Sequence, residues 1–261
     1  MGKITVKHYL NKSIARISKT DDSVCQIYVQ ITVKRQVNKI RSRAYKFVEL
    51  KDSELQVTQK EFELAQANKD KGVGKAIFLE YNFVKDLISF LKPFEREDFS
   101  VKDIASIYEI AISKVYEDLD FAGKKTLVGL LHGDWQKVQN IINWQLPFND
   151  ILDGLELIGK KNKAFEEDIL WDEYLVSYKI AIRHIKEFLL ENIDQTNYGL
   201  GNCNSYMLYW IKNSLHKNYL QYLADKKLIT PDHTFTMQKV LKSRSNSTQA
   251  LMMHFSDKKD V

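Results

Sequence analysis

From Val24 to Lys34 the chain alternates apolar and polar residues without interruption, and this pattern constrains the fold more than any other feature. Ile27, Val29, Ile31 and Val33 fall on one side, and Gln26, Tyr28, Gln30, Thr32 and Lys34 on the other. A period of two is that of a β-strand with one buried face, and a slip of one residue would turn the apolar set outward. A polar turn at Arg35-Gln36 leads into a predicted return strand, Val37 to Val48, in which Arg41, Arg43 and Tyr45 share a face opposite Ile40 and Ala44. Two strands alone are marginal in water. Ile4, Val6 and His8, alternating with Thr5, Lys7 and Tyr9, are therefore expected to supply a third.

At Thr58 the period changes. Thr58-Gln59-Lys60-Glu61 has capping-box spacing and predicts a short helix to about Asn68. A second helix is expected from about Lys75 to Leu91, where Ile77, Phe78, Tyr81, Val84, Leu87, Ile88 and Leu91 recur at helical steps before Pro93. Further helices are predicted over Ser100–Tyr116, Lys125–Trp144, Phe165–Asn192 and Ser205–Asp225, with a loop around Pro147 and Gly154. Three prolines and ten glycines in 261 residues suit long helices better than a many-turned β-sandwich. The expected class is α+β: a small three-stranded antiparallel β module followed by a mainly helical domain. The boundaries read as residues 1–50 for the β module, 51–98 for a helical linker, 99–229 for an all-helical domain and 230–261 for a polar, mobile tail.

The formal net charge of +5 is unevenly spread. Residues 1–46 hold 11 Lys and Arg against Asp21 and Asp22, a local charge of +9, and the remaining 215 residues carry −4. Positive charge concentrated on one small module is an electrostatic footprint for a polyanion. A basic edge can also serve only to discourage sheet-to-sheet aggregation, a role that lysine fills well. The arginines and amides here add something lysine lacks, because they pair with guanine and adenine edges, and a two-stranded ribbon fits the major groove. Gln30, Arg35, Gln36, Asn38, Arg41 and Arg43 are the candidate base readers, and Lys3, Lys7, Lys34, Lys39 and Lys46 the candidate phosphate contacts.

The run Gln26-Ile27-Tyr28-Val29-Gln30-Ile31-Thr32-Val33, followed by Lys34-Arg35 and Lys39-Ile40-Arg41-Ser42, resembles the arm-type DNA-binding region of tyrosine recombinases (integrases) from Bacteroidetes mobile elements. That family carries a strand of the type P-I-Y-V-x-I-T-V, a basic turn and a return strand; Gln26 stands here in place of the proline. Val57 to Phe62 looks like the family's first linker helix, and Leu87 to Phe94 with Asp98-Phe99 like the end of its second. Met207 to Ile211 and Tyr219 to Ile229 are similar to the closing helix of its core-binding domain, with Lys227 in place of a glycine. The resemblance implies duplex DNA as the ligand. The family's strand-cutting set, a tyrosine nucleophile with two arginines, a lysine and a His-x-x-Arg element, finds no match. None of the six histidines is followed three residues later by arginine, and the 32 residues after Ile229 are too few for a catalytic domain.

No other constellation points to an enzyme or a cofactor. Cys25 and Cys203 are too few for a disulfide framework or a zinc site and read as reduced thiols, with cytoplasm as the expected location. No apolar run reaches the length of a membrane span. His184 reads as a helix-surface or core histidine, Glu166-Glu167-Asp168 as a solvated helix start, and Trp135, Trp144, Trp171 and Trp210 as core. Gly72-Val73-Gly74-Lys75 lacks P-loop spacing. The expected function is a non-catalytic DNA-binding protein of a mobile element, an accessory or regulatory factor for DNA integration and recombination whose helical domain contacts a protein partner. The alternative is a helical protein–protein adaptor without direct DNA contact.

Overall fold

The computed structural model describes residues 3–17, 23–131, 143–162, 172–192 and 205–254. The chain forms two compact units. One comprises Met1–Ala111 with Gln195–Leu200 and Leu251–Val261, the other Ile112–Asp194 with Gly201–Ala250.

In the first unit three antiparallel strands lie in the order β1 (Thr5–Ile17), β2 (Ser23–Val33), β3 (Gln36–Arg41), and the two-residue β4 (Gln56–Val57) pairs with β2. The central β2 buries Cys25, Ile27, Val29, Ile31 and Val33 and leaves the alternate residues partly exposed, as its period dictates. Lys34 and Arg35 form a two-residue hairpin turn with φ of 50° and 66°. A right-twisted hairpin favours such left-handed geometry, which costs a non-glycine residue about 1–2 kcal/mol.

Two helices cover the inner face of the sheet. α1 (Gln59–Ala67) begins at Thr58, whose side chain accepts from the Glu61 amide while the Glu61 carboxylate accepts from the Thr58 amide at 2.8 Å. α2 (Gly72–Leu91) buries Ala76, Ile77, Phe83, Val84, Leu87, Ile88 and Leu91. Gly74 is required where the helices meet, since a Cβ there would stand 1.6 Å from the Asn68 carbonyl oxygen. Leu10, Cys25, Ile27, Ala44, Leu55, Val57, Phe62, Ala76 and Ile77 form one core cluster. The segment 51–98, read as a helical linker, carries α1 and α2 and falls in the same compact unit as the sheet. Its apolar stripe is the surface on which the sheet packs. α3 (Ile104–Ala111) closes this unit.

The second unit is helical: α4 (Val115–Leu130), α5 (Phe148–Asn162), α6 (Glu173–Glu191), α7 (Met207–Lys212), α8 (Leu215–Asp225) and most of α9 (Pro231–His254). Phe188, Trp210, Tyr219 and Tyr222 cluster with ring centroids 4.9–6.3 Å apart. Phe148 packs its ring 3.0 Å from the position a Cβ on Gly123 would occupy. Lys179 ties α6 to Asp153 and Glu156 of α5 at 2.7 and 2.9 Å. Arg244 makes a two-pronged ion pair with Asp118 at 3.0 and 3.2 Å, and that carboxylate raises the guanidinium's affinity for its proton.

Several sequence expectations are corrected here. The return strand stops at Arg41, and Ala44–Phe47 is a single 3-10 turn. The helix expected over Ser100–Tyr116 is broken between Ala111 and Val115, and that over Ser205–Asp225 at Ser214, whose φ is 51°. The loop expected around Pro147 and Gly154 is present over residues 143–147 but ends there, because Gly154 lies within α5 and Pro147 stands just before its first turn, where a missing amide costs nothing. The part of the tail within the described residues is helical, not irregular. Pro231–His254 is a helix in which Met237, Val240, Leu241 and Met252 are buried, together with Thr236, Ser245 and Thr248. The predicted Lys125–Trp144 helix overlaps α4 at Lys125–Leu130, and its residues 132–142 lie outside the described residues, as do 163–171 of the Phe165–Asn192 helix.

Candidate nucleic-acid interface

The strand register arranges the solvent side of the sheet in rows. Thr5, Thr32 and Val37 form the first, Lys7, Gln30 and Lys39 the second, and Tyr9, Tyr28 and Arg41 the third, with Asn11 and Gln26 beyond. Rows two residues apart are separated by roughly 6.5 Å, and side chains across one strand by roughly 5 Å. Lys7 and Lys39 therefore flank Gln30 about 10 Å apart, and all three point away from the core. Lys7, Val37, Lys39 and Arg41 are exposed, and Tyr9, Tyr28 and Gln30 partly so.

Within this face the groups are already ordered. The rings of Tyr9 and Tyr28 have centroids 6.1 Å apart at 47°, and the Lys39 ammonium lies 5.7 Å from the Tyr9 centroid. Partial burial, helped by the Tyr28 phenol, raises the Tyr9 phenol above its ordinary range. Arg41 bonds Gln26 Oε1 at 3.4 Å and forms an ion pair with Asp52. Asp52 thus partly neutralises one cation of the patch.

The remaining candidate contacts are distributed elsewhere. Lys3 is exposed just before β1. Lys34 donates through Nζ to the Arg96 carbonyl, and Arg35 is exposed at the hairpin tip. Gln36 accepts from the Val101 amide at 3.4 Å, and Asn38 donates to the Val101 and Lys102 carbonyls at 2.8 and 3.3 Å, so both amides hold the hairpin to the segment before α3. Arg43 leaves the outer face altogether. Its Nε donates to Glu109 on α3 at 2.8 Å, and that carboxylate strengthens the guanidinium's hold on its proton. Lys46 sits half-buried in the 3-10 turn.

Arg43 is redirected by a group that sequence reasoning missed. Glu80 on α2 is fully buried, and its carboxylate takes four donors. His8 Nε2 and Ser42 Oγ reach Oε2 at 2.7 and 2.5 Å, while the Arg43 amide and the Tyr108 hydroxyl reach Oε1 at 2.6 and 2.5 Å. Every lone-pair direction is used, so the group clamps β1, the exit of β3 and α3 to α2. In the sequence Glu80 is marked as a charge that interrupts the apolar stripe of α2 between Ile77 and Phe83.

Nearby, a cleft of about 410 Å³ lies between β1, α1 and α2, lined by Lys7, Lys69, Phe78 and Tyr81 among others. Among the described residues no group of three or more His, Cys, Asp or Glu could hold a metal ion, and no helix is long and apolar enough to cross a membrane. His184 lies 3.4 Å from Glu187 one turn on, and Cys25 is a buried free thiol. Trp210 is core, its Nε1 donating to Ser245 at 3.1 Å. Trp135, Trp171, Cys203 and Glu166-Glu167-Asp168 lie outside the described residues. Comparison with protein-family models finds no match, and comparisons with curated proteins and with solved structures find none either.

Proposed function

We propose that the outer face of the sheet binds duplex DNA and that the protein is a non-catalytic, accessory DNA-binding factor of a mobile element, as its likeness to integrase arm regions implies. One observation carries the reading: Lys7, Lys39 and Arg41 surround Gln30 on a single open face, backed by a packed core. Cations at strand spacing can meet successive phosphates, and a glutamine between them can pair with the N6 and N7 edge of an adenine. Arg35 at the hairpin tip extends the basic surface, whereas Arg43, engaged with Glu109, serves the fold.

Fluorescence anisotropy with a labelled duplex tests this. Arg41→Ala combined with Lys39→Ala should weaken binding by at least tenfold, and Arg43→Ala should change the affinity little once folded protein is compared. If duplex is not bound, or if the double variant binds as tightly as the parent, the sheet is surface only and the helical adaptor reading takes its place.

A further inference from the structure

Duplex recognition through a groove can use a tyrosine hydroxyl on phosphate but leaves unused the ring faces of the two tyrosines in the middle of this face. Tyr9 and Tyr28 sit opposite each other across β1 and β2, with their rings on the solvent side of the sheet. Arg41 continues their row on β3, and Lys39 leans over Tyr9. The inner face already has its own aromatic packing, Phe47 against Phe83 and Phe83 against Tyr108, so the tyrosine pair adds nothing to that core. Tyrosine rings fixed side by side on an open sheet, bordered by cations, form a platform on which unstacked bases can lie while their phosphates meet the flanking charges.

We infer that Tyr9 and Tyr28 stack on unpaired DNA bases, so that the preferred ligand is DNA with a short single-stranded stretch, such as a gap or a splayed end, rather than uninterrupted duplex. This rests on the DNA reading proposed above and narrows its substrate. Lys7, Lys39 and Arg41 hold the backbone on either side, and Gln30 lies within reach of the edge of a stacked base. Stacking on a ring is tolerant of sequence, so the preference is for unpaired structure more than for a particular base.

The test compares the full-length chain on a short duplex, on the same duplex with a gap of a few nucleotides, and on the matching single-stranded RNA. The gapped DNA should bind on the order of tenfold more tightly than the duplex. A 2-aminopurine placed in the gap should lose fluorescence on binding as it stacks. Tyr9→Leu and Tyr28→Leu, each checked by thermal melting, should abolish the quenching and bring the affinities for gapped DNA and intact duplex to within about twofold of each other. Equal affinity for gapped and intact duplex, with no quenching by the unaltered protein, overturns the inference and leaves the duplex reading standing. Tighter binding of the RNA overturns the assignment to DNA. Failure to bind any of the three removes the parent reading itself.

Discussion

At the scale of single residues the decisive pairings are those that settle which cations are free. Arg41 shares its charge with Asp52, and an exposed pair of this kind is worth up to about 1 kcal/mol. Asp52→Asn should therefore raise DNA affinity by about twofold to fivefold, as measured by anisotropy at low salt. Unchanged or weaker binding would mean that Arg41 does not touch the ligand. Glu80 acts on the fold instead. Glu80→Gln cannot accept from four donors, and stranding buried donors should cost about 2–4 kcal/mol, seen as a lower urea midpoint with an unchanged slope. Tyr219 gives a pH signature. Burial raises its phenol well above the ordinary range, and its hydroxyl donates to the Ala181 carbonyl at 2.6 Å. In the unfolded chain that phenol ionises near about 10. Its contribution is therefore complete below that pH and is lost as the pH rises toward the folded value. Tyr219→Phe should flatten the alkaline loss of stability while costing about 1 kcal/mol at neutral pH.

At the scale of elements the hairpin turn separates stability from binding. Lys34 and Arg35 occupy left-handed backbone that asparagine and glycine adopt readily. Lys34→Asn with Arg35→Gly should stabilise the first unit by about 1–2 kcal/mol and still weaken DNA binding severalfold, because Arg35 is an exposed cation at the tip. A variant both more stable and equally tight would remove the tip from the interface. The strands were legible because Ile27, Val29, Ile31 and Val33 repeat every second residue without a break. The end of β3 was not. Arg43 continues the alternation after Arg41, but the buried Glu80 captures its amide and Glu109 its side chain, and both lie far away in the chain. α9 was hidden for a different reason. Its buried stripe mixes Met237, Val240 and Leu241 with Thr236, Ser245 and Thr248, so small polar side chains that pack inside read as a solvated tail.

At the scale of the whole molecule the charge asymmetry is the organising fact: +9 over residues 1–46 and −4 over the rest. The α+β class follows from where period-two alternation gives way to helical spacing at Thr58. The candidate face was only partly readable. Lys7, Gln30, Lys39 and Arg41 could be named from their positions, but that Tyr9 and Tyr28 meet between them depends on the pairing register of β1 with β2. The register sorts a basic segment into one open face and a set of internal braces, and the DNA reading depends on that sorting. The most direct measurement is the salt dependence of DNA affinity for the parent chain and for the combined Lys7→Ala, Lys39→Ala and Arg41→Ala variant. With about four phosphates neutralised, log K should fall against log salt with a slope of about −3 to −4, and the variant should lose about three units of that slope. A slope near zero in the parent, or the same slope in both proteins, would contradict the account.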